Sequence, residues 1–158
     1  MGKTTLMFSN GFYWLAQVST MVLLVVSIPS VCAQDISTND LLQIARKGDA
    51  KAQYSLGRIY DRGEGVSKDY KEAVRWFQLS AAQGYAPAQH NLGVMYAMGQ
   101  SVPQDDIQAY MWLSLAALRL TDKDYEVFVA TRDTVAKAMT SEQIERAEQL
   151  AREWKPKQ

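Results

Sequence analysis

Apolar residues recur through the middle of this chain with a helical period, and the same order of residues then appears a second time. Over residues 50–61, Ala52, Leu56, Ile59 and Tyr60 fall at i, i+4, i+7 and i+8, one face of a helix. Gly63-Glu64-Gly65 ends that face, because glycine enters the left-handed conformation that closes a helix. Asp69 is placed to start a second helix by accepting from free amides of its first turn. Ala73, Trp76, Phe77 and Ser80 form the stripe this second helix buries. The predicted unit is therefore a hairpin of two helices, with no strand anywhere in the chain.

Residues 48–83 align without a gap on residues 84–119, a shift of 36. Gly48, Ala50, Ala52 and Gln53 match Gly84, Ala86, Ala88 and Gln89. Leu56-Gly57 matches Leu92-Gly93, Tyr60 matches Tyr96, and Gly63 matches Gly99. Val66, Asp69, Ala73 and Trp76 match Val102, Asp105, Ala109 and Trp112, and Leu79 and Ala81 match Leu115 and Ala117. Small residues (Ala52, Gly57, Ala73) stand where two helices must approach, and large ones (Tyr60, Trp76) where gaps between pairs must be filled. One hairpin cannot bury its apolar faces alone, so neighbours must stack, with Trp76 and Trp112 sealing the seams.

This ordered pattern resembles the Sel-1-like repeat, a branch of the tetratricopeptide-type α-solenoids, over residues 48–119. The resemblance implies an all-α fold, a right-handed α-α superhelix of stacked antiparallel hairpins with helical caps. It implies an adaptor or scaffold and no catalytic activity. Two departures stand out. The second unit has Gln100-Ser101 where the first has Glu64-Gly65, and a third unit is eroded, with Phe128, Val129 and Arg132 at the leucine, glycine and tyrosine positions.

A stack needs polar-faced ends. Residues 34–47 read as a linker and an N-terminal capping helix over 38–47, with Asn39 or Asp40 as its cap and Leu41, Leu42 and Ala45 pointing inward. Residues 120–158 read as C-terminal capping helices. One covers Asp122 to Ala138, with Phe128, Val129, Val135, Ala136 and Met139 on its apolar side. Thr140-Ser141-Glu142-Gln143 has capping-box spacing, and the helix after it presents Ile144, Ala147, Leu150, Ala151 and Trp154 on one side before Pro156. A Met-Thr-x-Glu-Gln-Ile start and a closing Arg-Glu-Trp are similar to the tail of many bacterial members of the family.

Residues 1–33 change the picture of where this stack works. Lys3 is the only charge before Asp35, and Met21 to Ile28 is a compact apolar run broken by Pro29-Ser30. Val31 and Ala33 suit positions −3 and −1 of a signal peptidase site, so the expected leader is cleaved after Ala33 and the protein is periplasmic or secreted. A rival reading keeps residues 12–33 as an uncleaved anchor, which gives the only membrane contact expected. A third puts a lipid on Cys32, although Val31 replaces the small residue such signals carry before the cysteine.

Composition narrows the chemistry. Lys plus Arg and Asp plus Glu balance at 17 each, so nothing pulls the chain broadly onto nucleic acid, and none is expected as a partner. The single cysteine leaves no disulfide framework and no thiolate zinc site. His90 has Gly93 and Val94 at i+3 and i+4 and no second histidine, so no metal is expected there. No serine sits on a strand-to-helix elbow. Asp105-Asp106 is explained by a helix start, where anions meet the positive end of the dipole, and Gly63-Glu64-Gly65 lacks the Gly-Lys-Ser/Thr ending of a phosphate loop. No cofactor and no enzyme activity are expected.

The remaining candidates lie on the first helix of each unit, once the repeat-defining residues are removed. Lys51, Tyr54, Arg58, Asp61 and Arg62 share one face of the first. Pro87, His90, Val94, Ala97 and Met98 share one face of the second. A charged, aromatic stripe beside a nearly apolar one makes a groove for a protein or peptide partner, in which Tyr54→Ala or Arg58→Ala is expected to weaken binding without loss of stability. A structural subunit of a larger envelope complex is the alternative, signalled by an exposed apolar patch around Val94, Met98 and Met111. A cell-wall hydrolase is a third reading, supported only by the compartment.

Overall fold

The computed structural model describes residues 37–119 and 123–157, so the leader with Cys32 and its expected cleavage point lies outside the described residues, as does Asp122. All regular structure among the described residues is helical. In chain order it is α1 (Thr38–Arg46), α2 (Ala50–Arg62), α3 (Tyr70–Ala82), α4 (Ala86–Met98), α5 (Asp106–Ala117), α6 (Lys123–Ala136) and α7 (Ser141–Glu153). α2 pairs with α3 and α4 with α5, and α3 packs on α4 to join the two hairpins. α1 covers α2 at one end of the stack.

The shared residues act in the same place in both hairpins. Gly57 lies so close to α3 that a Cβ there would sit 2.5 Å from the Phe77 ring. A Cβ on Gly93 would sit 2.7 Å from Leu113 Cγ and 3.1 Å from the Ala109 carbonyl oxygen. The glycine at this position is thus required by packing, since neither backbone is in the left-handed region. Ala73 and Ala109, the small residues of the facing helices, are fully buried.

The loops are equally repetitive. The Asp69 N–H donates to the Tyr60 carbonyl at 2.9 Å, and Asp105 does the same to Tyr96 at 3.1 Å. The carboxylates of Asp69 and Asp105 then cap α3 and α5. Gly63 and Gly99 end α2 and α4 with positive φ. The later departure has a backbone consequence: Gly65 has φ +74°, and Ser101 at the same place is held at φ 59°, a conformation that crowds its Cβ.

A buried glutamine ties each hairpin to the element before it. Gln53 Nε2 donates to the Ala45 carbonyl of α1 at 3.1 Å, and Gln89 Nε2 to the Ala81 carbonyl of α3 at 3.2 Å. In the first unit Gln83 Nε2 donates to Gln53 Oε1 at 2.8 Å. In the second, Gln83 is replaced by Arg119, which lies over the Trp154 ring at 5.5 Å, and Gln89 Oε1 is buried with no partner. The next equivalent position is Tyr125, so this tie ends after two units.

The caps depart from the sequence reading in detail. Ser37, and neither Asn39 nor Asp40, is the N-cap of α1: its Oγ accepts from the Asp40 N–H at 3.2 Å and donates to the Asp40 carboxylate at 2.8 Å. Asp40 is already inside the first turn, where it answers the cap instead of providing it. α6 ends at Ala136, two residues before the expected Ala138. Thr140 and Gln143 do form the capping box of α7. α6 and α7 both pack on α5, burying Phe128 beside Ala116 and Ala117, and Ala147 beside Tyr110, Met111 and Leu115. Beyond α7 the chain turns back, and the Lys157 N–H donates to the Ala82 carbonyl at the end of α3 (2.8 Å).

The two tryptophans differ. Trp76 is 4% exposed among Ala45, Ala52 and Leu56, whereas Trp112 is half-buried and meets the Trp154 ring edge-on at 6.1 Å. The second indole seals its seam only with help from the residue that ends α7. Trp76→Ala is therefore expected to cost about 3–5 kcal/mol and Trp112→Ala distinctly less, read from urea unfolding midpoints. Equal losses would show that the two seams are equivalent. Gly57→Ala is expected to destabilise by about 1–3 kcal/mol through overpacking, while Ser101→Gly raises the melting temperature by relieving the crowded Cβ. A neutral Gly57→Ala would mean that α2 and α3 separate easily.

Candidate functional site

The inner helices α2 and α4 face each other across a cleft of about 410 Å³, with α3 beneath it. Tyr54, Arg58, Asp61 and Arg62 of α2 form one wall. Asn91, Val94 and Met95 of α4, with Gln100 from the following loop, form the other, and Phe77 of α3 closes the floor. Four of these positions (54, 58, 61, 62) are spaced to share one face of α2, so the helix itself delivers them together. The glycine at 57 leaves the Phe77 ring next to that face.

Tyr54 is fixed by its neighbours. Its ring centroid lies 5.9 Å from that of Phe77 and 5.2 Å from that of Tyr85. Tyr85 stands where the first unit has Asp49, the N-cap of α2, so α4 begins without a side-chain cap and gains a ring in the seam. The Arg58 guanidinium lies 5.9 Å from the Tyr54 ring centre. Arg62 pairs with Glu64 at 3.3 Å, an exposed contact worth ~0–1 kcal/mol. Lys68 is held above its ordinary pKa, first by its hydrogen bond to the Tyr70 hydroxyl and in lesser part by the field of Asp61.

Of the residues singled out from the sequence, Tyr54, Arg58, Asp61, Arg62 and Val94 line this cleft. Lys51, His90 and Met98 do not. Lys51 is exposed in the first turn of α2, and Met98 is 71% exposed at the end of α4. His90 is taken up by α6: its ring stacks on Phe128 at 4.0 Å and its Nε2 lies 3.4 Å from Thr131 Oγ1. His90 thus stands where α6 meets α4, outside the lining of this cleft. Met111, expected on an exposed patch, is buried against α7. Asn91, Met95, Phe77 and Gln100 were missed. Asn91 had a signal, since Val94 lies at i+3 from it on the same face. Gln100 had none, because a loop brings it in.

Among the described residues no group of three or more His, Cys, Asp or Glu could hold a metal, and no helix is long and apolar enough to cross a membrane.

This is a solenoid of helical hairpins with a cleft on the side of its first helices. Residues 50–85 and 86–119 match the Sel1 repeat, so this part of the chain is built of two Sel1-like repeats. It is similar to the Sel1-repeat-containing protein YbeQ of Escherichia coli K12, at 38% identity over 53 residues, which is 33% of this chain and 16% of that protein. It is also similar to a putative sel1-like repeat-containing protein, L18, of Acanthamoeba polyphaga mimivirus, at 44% over 39 residues, 25% of this chain and 7% of that one. The chain thus aligns with only a small part of these curated relatives. Among solved structures, it is similar to c5321, a protective antigen of uropathogenic Escherichia coli with this fold, with TM-score 0.67 and 32% identity over 74% of this chain and 24% of that one. A Sel1 repeat protein from Oxalobacter formigenes gives TM-score 0.51 and 27% identity over 72% of this chain and 98% of that one. Proteins of this family are typically non-catalytic modules for protein–protein interaction.

The packing of Tyr54 revises one expectation. Tyr54→Ala removes two ring contacts, each worth about 0.5–1.5 kcal/mol beyond burial, and is expected to lower the melting temperature. Arg58→Ala leaves it nearly unchanged. Thermal unfolding of the two variants side by side checks this, and an unchanged Tyr54→Ala would place that ring outside the packed seam.

Proposed function

We propose that this chain is a non-catalytic adaptor or scaffold that holds a protein or peptide segment in the α2–α4 cleft. The observation that carries this reading is the cleft itself. It is lined largely by side chains the repeat does not need for its own packing, and it brings charged, amide and apolar groups to one place. An opening of this length, with helices of about 1.5 Å rise per residue, admits a short segment, so an affinity in the micromolar range is expected.

The compartment we propose is the periplasm or the exterior of the cell, on the strength of the leader-like pattern over residues 1–33. The structural-subunit reading keeps one supporting feature, the exposed Met98 at the rim of the stack.

A photo-crosslinking amino acid at Val94, inside the cleft, is expected to capture protein in the native envelope fraction. The same probe at exposed Gln78 on α3 is expected to capture little. Equal capture at both positions, or none at Val94, would count against the cleft as the binding surface. Permanent co-elution of the chain at a much larger mass would favour the structural subunit.

A further inference from the structure

We infer that the cleft selects a segment carrying a carboxylate beside a short aliphatic side chain, and that Arg58 is the group that reads the carboxylate. This rests on the cleft being the binding surface and adds the chemistry of what it takes.

The charges of the cleft are not equivalent. Arg62 is engaged by Glu64, and Asp61 shares its field with Lys68. Arg58 makes no ion pair among the described residues, yet it is half-buried and lies beside the Tyr54 ring. That ring is itself held between Phe77 and Tyr85. An arginine laid on an immobilised aromatic ring is already oriented, so its planar fork loses little freedom on meeting a carboxylate. Two parallel N–H···O bonds to one carboxylate are the geometry it offers.

The opposite wall fits the rest of such a segment. Asn91 and Gln100 bring primary amides, which both donate and accept and so suit a peptide main chain. Val94 and Met95 give an apolar surface for a short aliphatic side chain. That wall carries no acidic residue, so Asp61, one turn along α2 from Arg58, is the sole carboxylate of the lining. Arg58 also has no counterpart in the second unit, where Val94 stands at its position. The charge is therefore particular to this cleft and plays no part in the repeat.

A display library of random twelve-residue peptides selected on the full chain tests this. The selected peptides are expected to be enriched in Asp or Glu next to Val, Ala, Leu or Ile. Their binding is expected to fall about ten- to a hundredfold in Arg58→Ala, as for loss of a hydrogen bond to a charged group. Arg58→Lys, which keeps the charge and loses the fork, is expected to recover part of that loss. Peptides that lose binding in Asn91→Ala but show no acidic preference, or ignore Arg58→Ala, overturn the inference and leave the cleft reading standing. Enrichment of Lys or Arg, pointing to Asp61, overturns it as well. A library with no binders, or binders indifferent to Arg58, Asn91 and Val94 variants alike, overturns both.

Discussion

Two helices of a pair can approach this closely only where one of them has no side chain. Gly57 against Phe77, and Gly93 against Leu113, set the spacing of both hairpins. With that spacing fixed, Ala73 and Ala109 are buried, the large apolar residues fill what remains, and α3 lies against α4. The same contact shapes the cleft. Because position 57 has no side chain, the Phe77 ring reaches the floor beneath Tyr54, and Tyr54 is held in place by it. Stability and binding surface therefore draw on one steric fact.

Polar groups give the stack its direction. Gln53 and Gln89 each reach back to a carbonyl near the end of the preceding helix, so every unit is registered on its predecessor by a buried hydrogen bond. Such a bond contributes little net stability, but a buried glutamine amide left without its acceptor is expensive. The position holds Tyr125 in the eroded third unit, and there the regular order stops. α6 and α7 both settle on α5, and the chain end returns to the α3 terminus. Arg119 illustrates the change of regime: at the site of a glutamine that served the first unit, it lies over Trp154 and helps close the stack.

The binding surface arises where the two units differ. Their shared residues are spent on packing and loops. At the positions between, the first unit carries Tyr54, Arg58 and Asp61, and the second carries Asn91 with Val94. One wall is charged and aromatic, the other amide and apolar. Divergence within a duplicated hairpin thus yields a two-sided site from one architecture.

The amino-acid sequence alone determined the helical hairpins, their period of 36, the glycines at close approach, the Asp69 and Asp105 caps and the Thr140–Gln143 capping box. These are local matters, settled by periodicity and by residues with one steric or hydrogen-bonding use. It also placed Tyr54, Arg58, Asp61, Arg62 and Val94 on common faces, since helical spacing decides which side chains stand together. Only the tertiary structure decided that α6 covers His90, that Trp112 is half-buried while Trp76 is enclosed, that Met111 lies beneath α7, and that Gln100 joins the cleft. Each of those depends on how a capping helix or a loop meets residues distant in the chain. The eroded third unit no longer carries the pattern that would have announced such contacts.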